Sequence, residues 1–485
     1  MSIQETVLPP RKGGRLLLVG NGVAQACALA RYTLLARLLG PEQLGLSVTL
    51  ILTAQFFDSV SESGSDRFLI QDRQGDEPRA QALVQLLSVV RGFVIAGLLL
   101  VLARPIAGFY REPILAAGLM GLAIAPIITG FFNFDLRRVQ RHNDFGREGL
   151  AMMVAEVTSL AATILAAWIT RSYIAALVGL TVRAVAMVAV SQLTAERPYR
   201  IGYAPEHAKR LATFAAPLMV NGLLLFLTSQ GDRLLVGRRL GVSDLGKYSA
   251  VLLLIYYPSM MLMRYFHTMQ LPLVAAAGAT RDGLMRAIDD MASAALLLSL
   301  AMAAGFAVVA PIAVPLLFGH VFAQPVIVIA AIGALQVCRF IRIWPTTAAL
   351  AAGKSGAVLA ANLARLIAFP AAAAGVWLAG GLFGLTLGFA AGELVGVGIA
   401  VAITNRALGL PRMLDAGRVA ALTLGCTAIM ATAWCVDRMT AATALPAAAA
   451  TAVLLGAIAW RERGTIARLM AMMPGARSRA RGTHA

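Results

Sequence analysis

Residues 16–46 read LLLVGNGVAQACALARYTLLARLLGPEQLGL. An apolar run ends in Arg-x-Leu-Gly, and after an acidic residue and Leu-Gly a second apolar run begins. About 20 helical residues cross a hydrocarbon core of roughly 30 Å, so a helix over 16–36 spans once and the turn after it sends the chain back. The same alternation continues along the 485 residues, with further spans read at 45–62, 83–103, 114–134, 149–168, 173–193 and 213–230. A second series follows at 248–270, 292–317, 326–349, 357–377, 382–404, 417–436 and 442–460. Hydrophobic residues make up 59% of the chain and mean hydropathy is +0.76, against about 45–50% apolar usage in soluble domains. The expected fold is an all-α polytopic membrane protein with about 14 transmembrane helices.

The turn itself recurs. ARLLGPEQLGL from Ala36 and GRRLGVSDLGK from Gly237 align at a constant offset of 201 residues, so that Arg37, Leu39, Gly40, Leu44 and Gly45 face Arg238, Leu240, Gly241, Leu245 and Gly246. Six helices precede the second copy, an even number, so the two repeats share one orientation. Paired bundles related by an axis along the membrane normal are a transporter plan. The expected organisation is an N-terminal bundle over 15–193, a cytoplasmic linker over 194–212 and a C-terminal bundle over 213–404. An extra helix pair over 417–460 and a basic cytoplasmic tail over 461–485 complete it.

The formal charge of +18 would suggest nucleic acid in a soluble chain. Here the basic residues recur at helix ends: of the 42 Lys and Arg, 25 fall on the side that holds both termini, 9 in the opposite loops and 8 inside spans. That asymmetry predicts cytoplasmic N and C termini and an even number of crossings, and it excludes a nucleic-acid partner. Cys27, Cys338, Cys426 and Cys435 all lie in apolar stretches without a Cys-x-x-Cys pair and read as small core residues. The first apolar run is followed by many others, so it reads as a retained span rather than a cleaved leader. No zinc spacing and no Walker A sequence is present, so neither a cofactor nor direct ATP use is expected.

Two stretches, GNGVAQACALARYTLLARLLGPEQLG (20–45) and GDRLLVGRRLGVSDLGKYSAVLLLIYYPSMM (231–261), carry a family likeness. The chain resembles the oligosaccharide flippase and polysaccharide exporter branch of the multidrug/oligosaccharidyl-lipid/polysaccharide exporter superfamily over essentially residues 15–460. The resemblance implies paired six-helix bundles around a cavity, with two further C-terminal helices. It also implies movement of undecaprenyl-diphosphate-linked oligosaccharide across the bacterial inner membrane, and a place beside polysaccharide polymerase and assembly proteins. Capsule, exopolysaccharide or O-antigen synthesis would use such a step.

An ionisable side chain inside a span costs at least a few kcal/mol and faces a bundle interior or a watery cavity. Arginine suits a diphosphate because it stays charged and offers a planar fork of donors. Arg31, Arg264 and Arg365 are the leading candidates for a substrate cavity, each flanked by apolar residues; snorkelling or pairing with an acid is the alternative for each. Arg339 and Arg342, three apart in QVCRFIRIWP, share a helix face and join that set, with Pro345 beyond them marking a kink. Asp58, Glu62 and Asp66 stand four apart near the cytoplasmic end of the second span and could gate the inner mouth. Glu156 and Glu393 lie deeper and are candidates for coupling to a proton or another cation, or for pairing with arginine. The GDR at 231–233 reads as a structural pair, and His267 as a hydrogen-bonded histidine.

The expected function is a secondary-type flippase without catalytic chemistry, working by alternating access. Its rivals are a cation-coupled multidrug exporter, which the embedded arginine excess opposes, and a membrane glycosyltransferase or polymerase of the same pathway. The latter typically needs a large outer loop, and none longer than 17 residues is read here.

Overall fold

A computed structural model describes residues 12–61, 64–72, 74–142, 144–277, 280–409, 416–439 and 441–464. Glu62 and tail residues 465–485 lie outside the described residues, as does the side chain of Asp66. Among the described residues there is no strand. Hydrocarbon offers the backbone no hydrogen-bond partner, so each apolar run satisfies its amides within its own helix.

The N-terminal half runs α1 (Lys12–Val60), α2 (Ser65–Gln71), α3 (Pro78–Tyr110), α4 (Leu115–Leu122), α5 (Ile124–Gly130), α6 (Asp135–Gln140), α7 (Gly146–Thr170), α8 (Ile174–Thr194) and α9 (Pro205–Leu240). It continues through α10 (Val242–Ala277), α11 (Arg281–Phe318), α12 (Val326–Ile341), α13 (Ile343–Ala351), α14 (Ser355–Ala364), α15 (Ala368–Ala379), α16 (Gly381–Leu408), α17 (Ala416–Arg438) and α18 (Ala441–Arg461). Twelve stretches among the described residues are long and apolar enough to cross a membrane; Leu115–Gly130 is a shorter apolar helix. The first of the twelve, Leu16–Val60, has 45 residues, about 68 Å of helix and more than twice the hydrocarbon thickness. It is broken at Gly40, whose φ of 78° and ψ of 177° are not helical. Gly241, its partner at the 201-residue offset, has φ 96° and ψ 170° and separates α9 from α10. The recurring turn thus has one backbone conformation in both copies, in a region that favours glycine.

Three other spans are interrupted, each just before a proline, whose missing amide leaves the carbonyl four residues earlier (Leu122, Ile341 and Leu366) without its helical bond. Pro126 follows the gap between α4 and α5, Pro345 the gap at Arg342, and Pro370 the single 3₁₀ turn Arg365–Ile367. The kink expected from Pro345 is present, and both it and the Pro370 break place an arginine at the interruption.

The chain packs as two compact units, Met1–Ser249 and Ala250–Ala485, with the division inside α10. Within the first unit α9 packs directly on α1: a Cβ at Gly222 would lie 2.0 Å from the Ser59 carbonyl oxygen. The core of the first unit includes Leu46, Leu50, Leu99, Leu115, Leu119 and Tyr173. Tyr173 fixes α1 and α4 together, since its amide donates to Gln43 Oε1 at 2.9 Å and its hydroxyl to the Ile114 carbonyl at 2.6 Å. In the second unit α12 is almost wholly enclosed. Its N-terminus is capped by Asp437 of α17, which accepts from the amides of Val326 and Ile327, both at 2.8 Å.

A polar knot outside the spans binds the 195–204 segment to the first unit. Asp135 is fully buried and accepts from Arg138 Nε at 2.6 Å and from the amides of Glu196 and Arg197 at 2.7 and 3.2 Å. Arg138 also reaches Glu196 and Asp76. Burial alone would raise the Asp135 carboxyl; Arg138 and the two amides outweigh it and hold the group below its ordinary value. Its contribution to stability is therefore complete above the ordinary carboxylate value near 4 and lost as pH falls through the lower folded value. Asp135→Asn is expected to cost about 3–5 kcal/mol, the range for breaking a buried ion pair. Thermal unfolding in detergent at neutral pH checks this, and an unchanged midpoint would refute it.

Candidate functional site

Each unit contains one buried glutamate held by two arginines. In the second unit Glu393, on α16, is 1% exposed. It accepts from Arg365 Nε at 3.0 Å and Nη2 at 2.7 Å and from Arg339 Nε at 3.3 Å. Arg342, one helical turn from Arg339, donates Nη1 to Asn362 Oδ1 at 2.9 Å and has no partner for Nε among the described residues. The helix breaks explain the convergence. The 3₁₀ turn at Arg365 and the gap at Arg342 turn these side chains to one place, where α12, α14 and α16 meet.

In the first unit Glu156, on α7, accepts from Arg31 Nη2 at 2.9 Å and from Arg183 Nε at 2.6 Å. Ser159, one turn further, accepts from Arg31 Nη1 at 2.5 Å and donates to the Gly179 carbonyl at 2.8 Å. Arg31 thereby ties α1 to α7, while Arg183 of α8 uses only Nε on the carboxylate. Closer to the end of α1, Arg91 of α3 donates to Ser61 Oγ at 2.8 Å and to Asp58 Oδ1 at 3.3 Å. Asp58, Arg91 and Arg183 line one cavity of about 270 Å³.

The structure therefore brings Arg339, Arg342, Arg365 and Glu393 together, and separately Arg31 and Glu156. Arg264 joins neither group: it is exposed on α10 and has no ion pair among the described residues. His267 Nδ1 lies 3.1 Å from Thr347 Oγ1, the hydrogen-bonded role read for it. Asp232 of the GDR accepts from the Tyr248 hydroxyl at 2.5 Å. Thr228 and Ser229 bond back to carbonyls of their own helix. Two contributors escaped the sequence reading, Ser159 and Asn362. Both are small polar residues three positions from a charged one, and no spacing rule separates them from other span polar groups. Among the described residues no group of three or more His, Cys, Asp or Glu is placed to hold a metal ion.

A helical bundle broken at prolines, with charged centres inside long apolar helices, defines a multi-pass membrane protein. The lipid II flippase MurJ in an inward closed conformation matches with a TM-score of 0.65 at 14% identity, over 93% of this chain and 100% of MurJ. An inward-facing multidrug resistance MATE family transporter of the MOP superfamily matches with a TM-score of 0.63 at 15% identity, over 81% of this chain and 98% of that one. Residues 34–327 match the sequence profile of the polysaccharide biosynthesis protein family, and the chain belongs to that family. Succinoglycan biosynthesis transport protein ExoT of Rhizobium meliloti (strain 1021) is 26% identical over 221 residues, 45% of this chain and 44% of ExoT. The match thus spans less than half the length of that relative.

Proposed function

We propose that the protein flips a polyprenyl-diphosphate-linked oligosaccharide across the bacterial inner membrane by alternating access. Membership of a polysaccharide biosynthesis family and the similarity to a succinoglycan transport protein support a saccharide cargo. The observation that carries the reading is the excess of arginine at the embedded charged centres: Arg339, Arg342 and Arg365 gather about Glu393, and Arg31 and Arg183 share Glu156. A cationic interior attracts a diphosphate and opposes the cationic amphiphiles of a multidrug exporter.

The chain crosses fourteen times in this reading, counting the span divided at Gly40 as two and the short helix Leu115–Gly130 as one. The distribution of basic residues supports cytoplasmic N and C termini. Arg264 is the proposed direct contact for phosphate, because it is exposed and no acid among the described residues pairs with it. Arg31, Arg339, Arg342 and Arg365 shape the field around the path. Asp58 and Glu62 are proposed for the inner gate, with Glu156 and Glu393 as the groups through which a proton or other cation would act.

The test is translocation of a labelled lipid-diphosphate oligosaccharide in proteoliposomes. Arg264→Ala is expected to lower the rate about tenfold or more, the worth of one charge-assisted contact, with an unchanged melting temperature. Cationic drug efflux without lipid transport by the unaltered protein would replace this reading with the multidrug exporter, whose fold is shared.

A further inference from the structure

The cavity within the first unit is amphipathic. Asp58, Arg91, Arg137 and Arg183 stand along its lining, and the rest is largely apolar, with Ile95, Leu99, Leu122 and Leu180. The charges are unequally satisfied. Arg137 is paired with Glu148, and Arg91 with Asp58. Arg183 gives only Nε to Glu156, a carboxylate already shared with Arg31, so this triad carries one surplus positive charge. Both terminal nitrogens of Arg183 lack a hydrogen bond among the described residues, its side chain is 49% exposed, and it lines the cavity. Arg91 uses Nε and Nη2, and its Nη1 likewise has no bond among the described residues.

We propose that this cavity binds the phosphate head of an anionic membrane amphiphile, with Arg183 as the principal contact, Arg91 as the second, and the apolar wall receiving the start of the tail. A guanidinium with both terminal nitrogens open presents the flat pair of donors that phosphate oxygens accept. Basic pockets between membrane helices near the cytoplasmic interface hold lipid heads in this way. The cavity adjoins Asp58 and Ser61 at the end of α1, on the side that the basic-residue distribution assigns to the cytoplasm. At about 270 Å³ it admits a phosphate and the first carbons of a chain, and falls below the roughly 300–1,000 Å³ of sites that enclose larger ligands. The proposal stands whether or not the protein is a flippase.

The amphiphile is either a bilayer phospholipid or a polyprenyl phosphate, and the experiment separates them. Full-length protein in neutral detergent is titrated with dioleoylphosphatidylglycerol, undecaprenyl monophosphate or dioleoylglycerol, and bound lipid is counted by native mass spectrometry. Binding of at least one phosphate lipid with little binding of dioleoylglycerol is expected; the tighter of the two names the source. Arg183→Gln is expected to weaken that binding by about tenfold or more, with Arg183→Lys restoring part of it as a point charge. Leu180→Trp, which leaves every charge in place and fills the apolar wall, is expected to weaken it as well. Equal binding of dioleoylglycerol, or unchanged binding in both Arg183→Gln and Leu180→Trp, would overturn the proposal.

Discussion

Glu393→Gln is expected to destabilise the protein by about 3–5 kcal/mol, because it leaves two buried arginines facing a neutral group. Arg365 directs two nitrogens at this carboxylate and Arg339 one, and the residues are 3%, 8% and 1% exposed for Arg365, Arg339 and Glu393. The arrangement is asymmetric. Removing either arginine leaves the glutamate with the other, whereas removing the glutamate takes from both buried cations the carboxylate they share. Glu393→Gln should therefore lower the melting temperature in detergent more than Arg365→Gln or Arg339→Gln. The double variant Glu393→Gln with Arg365→Gln should recover part of the loss, a non-additivity expected of contacting charges. Equal melting temperatures for the three single variants would mean that water, and not Glu393, holds the arginines.

The extent to which this site could be read from sequence follows from the physics of a span. Hydrophobic length, the basic-residue bias and proline positions act along the chain, so the bundle and the Pro345 kink were legible. Arg339 and Arg342, three apart, were placed together on a helix face, and they do converge. Which acid an arginine meets depends instead on how helices far apart in sequence rotate against each other. Arg31 and Glu156 are 125 positions apart, and Arg365 and Glu393 are 28. Nothing in either local sequence distinguishes Arg31, which is tied to Glu156, from Arg264, which is exposed. The knot around Asp135 was missed for a related reason. It is assembled from a short helix, a loop and the 195–204 segment, and its decisive donors are backbone amides, which carry no residue signature.

The Gly40 and Gly241 turns lead to the second large expected effect, because the two copies of the repeat touch reciprocally within the first unit. A Cβ on Gly45 would fall 1.8 Å from the Val242 carbonyl oxygen and 3.2 Å from the Gly246 amide. One on Gly246 would fall 2.0 Å from the Pro41 carbonyl oxygen and 3.0 Å from the Gly45 amide. Pro41 and Val242, like Gly45 and Gly246, are related by the 201-residue offset, so residue i meets j and j meets i as across a local two-fold axis. Only glycine permits backbones this close, and Gly45→Val should cost about 1–3 kcal/mol of overpacking or part the two turns. In the proposed topology this contact lies on the outer side, where an alternating-access cycle must open it to release cargo. Gly45→Cys with Gly246→Cys, with Cys27, Cys338, Cys426 and Cys435 changed to Ala, puts one thiol on each of the two facing turns, the two Cβ atoms lying 3.2 and 3.0 Å from the other residue's amide nitrogen, and the turns part only as far as the two side chains require. Oxidation is expected to abolish transport of the lipid-linked oligosaccharide in proteoliposomes, and reductant to restore it. Full transport by the cross-linked protein, with the cross-link verified by its reduction-sensitive mobility, would mean that these turns stay together throughout the cycle and that the outer opening lies elsewhere.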